Sequence, residues 1–221
     1  MIFNPREVPV VGTDVHLPPV ARERLLPTAL RERFQRPPPW TPEHRPEPRF
    51  IDRAPRQASV LLAVLPHADG PTLLLTQRSA HLPTHAGQVA FPGGKVDETD
   101  ADAVAAALRE AEEEVGLDPD RVEVLGHLPT YTTGTAFVIT PVVALVQAPV
   151  AWAANPDEVE AVFEVPLSFL MNPAHHRRHH HHWEGRLHEW YSMPYADAGG
   201  ERFIWGATAG MLRNFYHFLS A

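Results

Sequence analysis

The stretch FPGGKVDETDADAVAAALREAEEEVGL, residues 91–117, constrains this chain more than any other, because it can only be a glycine turn feeding one helix. The turn is Pro92-Gly93-Gly94, an acidic segment with a capping signal at Thr99-Asp100 follows, and an Ala-rich run ends at Gly116. At helical spacing Val104, Leu108, Ala111 and Val115 form one apolar stripe, while Glu110, Glu113 and Glu114 fall together on the adjacent face. Like charges at that spacing destabilise a helix by about 0.2 to 0.5 kcal/mol per pair, so three converging carboxylates make most sense around a cation. Hard divalent ions take oxygen ligands, and Mg²⁺ combines one or two carboxylates with substrate phosphates. Arg109 can reach Glu112 or Glu113 one turn on and fix carboxylate orientation. The competing explanation is a solvated acidic helix face, which is the expectation for Glu112.

Composition narrows the function classes. A chain of 221 residues with 44% hydrophobic content supports one good-sized domain. The formal charge of -8 argues against a nucleic-acid surface, since phosphate-tracking proteins carry basic stripes. Any polyanionic substrate must therefore be met locally, by metal and a few arginines. Without cysteine there is no thiolate nucleophile, disulfide framework or Cys-based zinc site. The N-terminus lacks a signal-peptide pattern and no stretch approaches the apolar length of a membrane span, so a cytoplasmic protein with no membrane partner is expected.

Residues 1–50 hold 11 of the 24 prolines and read as an arm, extended apart from one short helix near residues 28–34 capped by Thr28. Residues 51–221 read as the catalytic domain, with the arm covering a core edge. Strands are expected at 58–65 and 72–77, joined as a hairpin, then at 89–91, 122–128, 136–146 and 161–165. Residues 187–194 should pair with 202–204, and a last helix should run over 207–219, with Met211, Leu212, Phe215 and Phe218 in register. Mixed strands with two or three helices fit an α/β/α sandwich.

The pattern Gly94, then Arg109-Glu110-Ala111-Glu112-Glu113-Glu114, then Gly116-Leu117 resembles the box of the Nudix hydrolases. Upstream, Leu74-Leu75-Thr76-Gln77-Arg78-Ser79 and His85 through Gly94 resemble the signature of the coenzyme A pyrophosphatase branch. Two departures stand out. Arg109 comes one residue late and position 100 is Asp, which leaves Asp97, Glu98 and Asp100 as alternatives for the upstream acidic position; Pro83 stands where that branch commonly has a basic residue. The resemblance implies a Nudix-type α/β/α sandwich and a Mg²⁺- or Mn²⁺-dependent pyrophosphohydrolase, cleaving coenzyme A or acyl-CoA to 3′,5′-ADP and 4′-phosphopantetheine or its acylated form. It implies Glu110, Glu113 and Glu114 as metal ligands with the Gly94 carbonyl, and Arg109 as the orienting residue. A general base comes from a helix glutamate or from Glu158 in a late loop, and Arg78, His85, Gln88, Phe91 and Gly93 are candidates for substrate contact.

Each of these has a plainer alternative. Gly93-Gly94 can be a tight turn, Arg78 a surface residue, Glu158 a solvated turn carboxylate, and Gln88 and Phe91 residues that merely hold the loop. The run His175-His176-Arg177-Arg178-His179-His180-His181-His182 is expected as a flexible solvated loop with incidental metal affinity, with its arginines as competitors for a 3′-phosphate. Trp183 and Trp205-Gly206 are expected as core anchors, with adenine stacking as the second reading. Competing functions are a pyrophosphatase for NAD(H) or ADP-ribose, a nucleotide-sensing domain without hydrolysis, and a decapping-type activity on nucleotide-capped RNA. The expected partner is a small nucleotide, with a second copy of the chain as a candidate.

Overall fold

The computed structural model describes residues 4–43, 54–147, 149–183 and 185–221. The boundary expected between arm and domain, at residues 50 and 51, lies outside the described residues. Among those described, the chain begins with β1 (Val10–Thr13), α1 (Pro27–Gln35), β2 (Arg56–Leu65), β3 (Thr72–Arg78), β4 (Val89–Ala90), β5 (Gly93–Lys95) and α2 (Ala103–Val115). It continues through β6 (Val122–His127), β7 (Tyr131–Thr132), β8 (Phe137–Val146), β9 (Val159–Pro166) and the single turn α3 (Leu167–Leu170). It ends with β10 (Arg177–Trp183), β11 (Arg186–Asp197), β12 (Gly200–Trp205) and α4 (Gly206–Ser220).

The larger sheet runs β4-β3-β2-β8-β6, with β5 also on β2, β7 on β8 and β9 on β3. Its central pair, β2 and β8, is parallel from Arg56↔Phe137 to Val64↔Leu145, whereas its other ladders are antiparallel. Parallel strands at a sheet centre are covered on both faces and read as near-continuous apolar runs, which is why SVLLAVL and PVVALV alternate so little in polarity. Leu61, Ala63, Leu65, Val142 and Ala144 face α2, where they meet Ala107, Ala111 and Val115. Leu62, Val64, Val143 and Leu145 face the opposite way, against Leu212 and Phe215 of α4 and Leu25 and Leu30 of the N-terminal segment. Two apolar layers on one mixed sheet make the expected α/β/α sandwich. Each fully buried leucine contributes about 1.5 to 3 kcal/mol relative to exposure, so both layers stabilise the sheet between them.

The N-terminal arm is part of this packing rather than an extended attachment. β1 pairs with β10, and α1 buries Leu30. Its cap differs from expectation, because the helix starts at Pro27 with Leu26 at the cap position and makes no side-chain cap bond, so Thr28 lies inside the first turn. A buried ionic group fixes the arm further: Arg213 of α4 donates to Asp14 at 2.8 Å and Glu43 at 3.0 Å, and meets His176 Nδ1 at 3.1 Å.

The histidine-rich run is a strand, not a flexible loop. β10 is hydrogen-bonded to β1 on one side and β11 on the other, so alternate imidazoles point to opposite faces. His179 is buried, stacks on Trp190 at 4.0 Å and meets the Val8 carbonyl and Ser192 Oγ. His176, just before the strand, is buried against the Leu170 carbonyl at 2.7 Å. Arg178 pairs with Asp14 at 3.3 Å, which occupies one of the two arginines considered for a 3′-phosphate. Polar side chains became strand residues here because each inward-pointing one found a specific partner. No described helix is long and apolar enough to cross a membrane.

Candidate active site

The turn before α2 and the helix itself bring the carboxylates against β2. The cap is Asp102, whose side chain accepts from Ala105 N at 2.8 Å, rather than Thr99-Asp100. Asp100 has turned back instead: it accepts from Asp97 N at 2.8 Å and is gripped by Arg109 through Nε at 2.9 Å and Nη2 at 3.0 Å. That fork fixes the guanidinium plane, and the same Arg109 reaches the Lys95 carbonyl at 3.2 Å, Glu110 at 3.1 Å and Glu113 at 3.1 Å. Of the three upstream acids, Asp100 thus holds Arg109, and Asp97, 64% exposed, lies 3.8 Å away. Its neighbours keep Arg109 firmly charged, chiefly through the hydrogen bonds it donates to Asp100. The helix ends at Gly116, which takes the left-handed conformation and bonds to the Ala111 and Glu112 carbonyls.

Glu110, Glu113 and Glu114 share the helix face that the spacing predicts, and Glu112 is exposed away from it. Their carboxylates do not meet at one point. Glu113 is exposed beside Arg109, whereas Glu114 is 2% exposed and turned inward, accepting from Gly93 N at 3.2 Å with Arg78 Nη1 at 3.6 Å. Among the described residues no three acidic or histidine side chains stand close enough together to hold a metal ion. Glu110 and Glu113 are drawn to the one Arg109 guanidinium while Glu114 turns to the Gly93 N–H and Arg78, which explains the departure from the expected convergence.

Burial raises the proton affinity of the inner two. Glu114 is pushed up to about 7, by burial first and then by the charges of Glu110 and Glu158, against the pull of the Gly93 N–H and Arg78. Glu110 is raised by burial, with Glu113 and Glu158 adding and Arg109 opposing. Glu158, from the loop before β9, therefore lies within electrostatic reach of both. Its position follows from the backbone, since Ser79 N donates to the Glu158 carbonyl at 2.8 Å at the start of the β3–β9 ladder. Glu110 and Glu114, both raised by burial with the charge of Glu158 adding, are hard oxygen donors of the kind a divalent cation such as Mg²⁺ or Mn²⁺ takes. Gly94 belongs to the same arrangement, because any side chain there would strike the Glu110 carboxylate.

The remaining residues singled out in the sequence fall along one loop. Gly87 N donates to the Arg78 carbonyl at 3.1 Å and Arg78 N to the Gln88 carbonyl at 2.9 Å, so the 79–88 loop closes on Arg78. Arg78 Nε is buried without a hydrogen-bond partner among the described residues. His85 has a positive φ of 57° and its Nδ1 lies 3.0 Å from Gln88 Oε1, with both side chains at the surface of the loop. Phe91 is the exception: its ring is 2% exposed within the core, so it anchors the loop and does not face a substrate. A side chain on Gly93 would run into the β2 backbone at Ser59 and Val60, which keeps the Gly93 N–H on Glu114. The Lys95 carbonyl that holds Arg109 was missed from sequence, as a main-chain acceptor leaves no signal in residue identity.

The comparison with known proteins agrees with this geometry. The NUDIX domain family matches residues 55–200. The protein described as "Uncharacterized Nudix hydrolase NudL" in Escherichia coli (strain K12) is 47% identical over 158 residues, covering 72% of this chain and 80% of that protein. The NudL of Shigella flexneri is 46% identical over 166 residues, covering 74% and 84% of the two chains. A solved Nudix hydrolase from M. Smegmatis, RenU, aligns with a TM-score of 0.45 at 26% identity, over 52% of this chain and 73% of that one. The chain belongs to the Nudix family. It is a hydrolase of phosphoric anhydrides in nucleoside diphosphate derivatives, and enzymes of this family generally use divalent metal ions.

Proposed function

We propose that this Nudix hydrolase is a cytoplasmic, Mg²⁺- or Mn²⁺-dependent pyrophosphohydrolase that cleaves coenzyme A and acyl-CoA to 3′,5′-ADP and 4′-phosphopantetheine or its acylated form. One observation carries the substrate reading: Arg78 belongs to the coenzyme A-type signature, closes the 79–88 loop through its backbone, and points its guanidinium at Glu114 of the catalytic helix. The loop resembling a coenzyme A signature and the carboxylates are thus wired together through one residue, whose buried Nε has a free donor for a phosphate oxygen.

Glu110, Glu113 and Glu114, with the Gly94 carbonyl, are the groups that would hold the ion. A bound divalent ion neutralises phosphate charge and lowers the proton affinity of a coordinated water. Arg109, fixed by Asp100, orients Glu110 and Glu113. Arg78 and the Gln88 loop bind the pyrophosphate. In the reaction a water oxygen bonds to one phosphorus, the bridging P–O bond breaks, and the bridging oxygen leaves with the other phosphate. The water proton passes to a carboxylate, for which Glu110 and Glu158 are the candidates because each lies in the field of the others and neither is committed to a core contact.

Chromatographic product analysis tests this with coenzyme A, NADH and ADP-ribose at equal concentration, alongside Glu113→Gln and Glu114→Gln. The expected result is 3′,5′-ADP from coenzyme A, lost in both variants. Turnover of NADH or ADP-ribose with coenzyme A left intact would overturn the substrate, and nucleotide binding without turnover would mark a sensing domain.

A further inference from the structure

The cleft beside the signature loop has the makings of a second subsite. Its volume is about 450 Å³, within the range of small-molecule pockets, and it is lined by residues 4–6 of the first turn, residues 86–88 of the signature loop, and the rings of Phe203 and Trp205. Of these side chains, Gln88 is a candidate for substrate contact and Trp205 was weighed between core anchor and adenine stacking; the others play no part in the site described above.

The wall is built by strand alternation. Phe203 and Trp205 lie two apart on β12 and share one face, whereas Ile204 between them is fully buried in the core on the other. The Trp205 ring meets Trp190 edge-on at 5.4 Å, and Trp190 stacks on His179 at 4.0 Å, so the wall is the end of a supported aromatic row. The Arg6 guanidinium lies 4.6 Å over the Phe203 ring and pairs with Glu201, which ties the first turn to the same strand. β12 is in turn locked to the signature strand, where Arg202 Nη1 donates to Gln77 Oε1 at 2.7 Å.

The opposite wall connects with the chemistry. Gln88 and Gly87 are the residues whose backbone closes on Arg78, and Arg78 faces Glu114. A molecule whose phosphates lie at Arg78 and the carboxylates can therefore extend its other end past residues 86–88 to the aromatic wall.

We infer that this cleft binds the nucleobase of the substrate, stacked on Trp205, with Phe203 holding Arg6 at the mouth as the single basic residue of the lining. The inference rests on the nucleotide-pyrophosphatase reading above. The flexible, amide-bearing pantetheine arm gains little from a flat aromatic wall, whereas every base offers a π face, and base–aromatic stacking is worth about 1 to 3 kcal/mol per base. The adenine therefore takes the cleft, and the pantetheine arm leaves the site in another direction.

The test is calorimetric binding of 3′,5′-ADP and, separately, of 4′-phosphopantetheine to the full chain and to Trp205→Ala, Trp205→Phe and Phe203→Leu. Stacking of that size predicts about a tenfold or greater loss of 3′,5′-ADP affinity in Trp205→Ala and a smaller loss in Phe203→Leu. The phenylalanine variant should recover most of the affinity, and phosphopantetheine binding should be unaffected throughout. In kinetics, the KM for coenzyme A should rise in Trp205→Ala by more than kcat falls. Unchanged 3′,5′-ADP binding in the folded variants overturns the subsite, as does a loss confined to phosphopantetheine or shared equally by both probes. Should Trp205→Ala fail to fold, Trp205→Leu takes its place and decides by the same criterion, with Trp205→Phe as the variant that keeps a stacking ring. If wild type leaves coenzyme A intact, the substrate reading fails, but 3′,5′-ADP binding still reports on the nucleobase wall by itself.

Discussion

Glu114→Gln should stabilise the metal-free protein at neutral and alkaline pH while removing its activity. Glu114 is 2% exposed and its carboxyl is pushed from its ordinary 4.5 up to about 7. One pKa unit corresponds to about 1.4 kcal/mol, so ionising this group in the folded chain costs about 3 kcal/mol more than in the unfolded chain. The sign follows from the raised value. Below the unfolded pKa both states are protonated and no penalty exists; the penalty grows as pH rises and is complete above about pH 7. Glutamine keeps the shape and an oxygen for the Gly93 N–H but has no charge to bury. In a chelator, the unfolding free energy of the variant minus that of wild type should therefore increase by about 3 kcal/mol from about pH 4 to about pH 8. At two to four degrees per kcal/mol, that is roughly 6 to 12 °C in Tm at the alkaline end. Adding Mg²⁺ should stabilise wild type more than the variant, because binding to the folded state alone raises stability by mass action. A difference that stays flat across the pH series would refute the claim that Glu114 is a buried charge held for a cation.

Three further outcomes follow from the same geometry. Asp100→Asn should lower kcat/KM about tenfold by loosening the Arg109 fork, the effect typical of a residue that orients ligands. Asp97→Asn and Glu98→Gln should change it less than about twofold, in keeping with the weakness of exposed ion pairs, and steady-state assays across Mg²⁺ concentration separate the three. Arg213→Met should lose about 1 to 3 kcal/mol in urea unfolding, since it removes the buried cation nearest Asp14 while Arg178 still faces Asp14 and Glu43 keeps His217 and Tyr191. Burial holds His176 neutral and, with the Arg213 charge adding, lowers its pKa to about 4, despite the opposing bond to Leu170. Because the unfolded chain takes up that proton first, stability should be full above about pH 6.5 and fall by about 3 kcal/mol as pH drops toward 4, a slope that His176→Gln should flatten in pH-dependent unfolding.

What the sequence disclosed and what it hid divide along a physical line. The apolar runs of β2 and β8 and the stripe of α2 are set by periodicity over neighbouring residues and formed where the pattern put them, whereas Gly93 and Gly94, expected as a turn, are strand residues of β5 because they pair with Val60 and Ser59 of the distant β2. The family box was legible because its residues lie close together in the chain, on the short β5 and the helix α2 that follows it. The histidine run defeated that approach because its strand is made by partners far away in the chain, Val8, Ser192 and Trp190, none of which a local pattern can announce. The cap moved from Thr99-Asp100 to Asp102 because Arg109, one residue late in the box, drew Asp100 back into the turn. Nothing in the spacing said which of three acids would win that arginine; the deciding contact involves the main chain at Lys95 and Asp97 as much as any side chain.

That division also bears on how the site works. The carboxylates are placed by α2, a helix packed on the sheet centre, with Glu110 and Glu113 on Arg109 and Glu114 on the Gly93 N–H. The loop expected to meet the substrate is placed differently, by two backbone hydrogen bonds to Arg78 and by the buried Phe91 ring behind it. A loop pinned at Arg78 makes substrate position depend on the residue that also neutralises Glu114. Replacing Arg78 by Lys would keep the charge near Glu114 but lose the planar fork, so its expected mark is a rise in KM larger than any change in the metal requirement. A metal requirement that rose as steeply as KM would show that Arg78 serves the carboxylates first and the phosphates only through them.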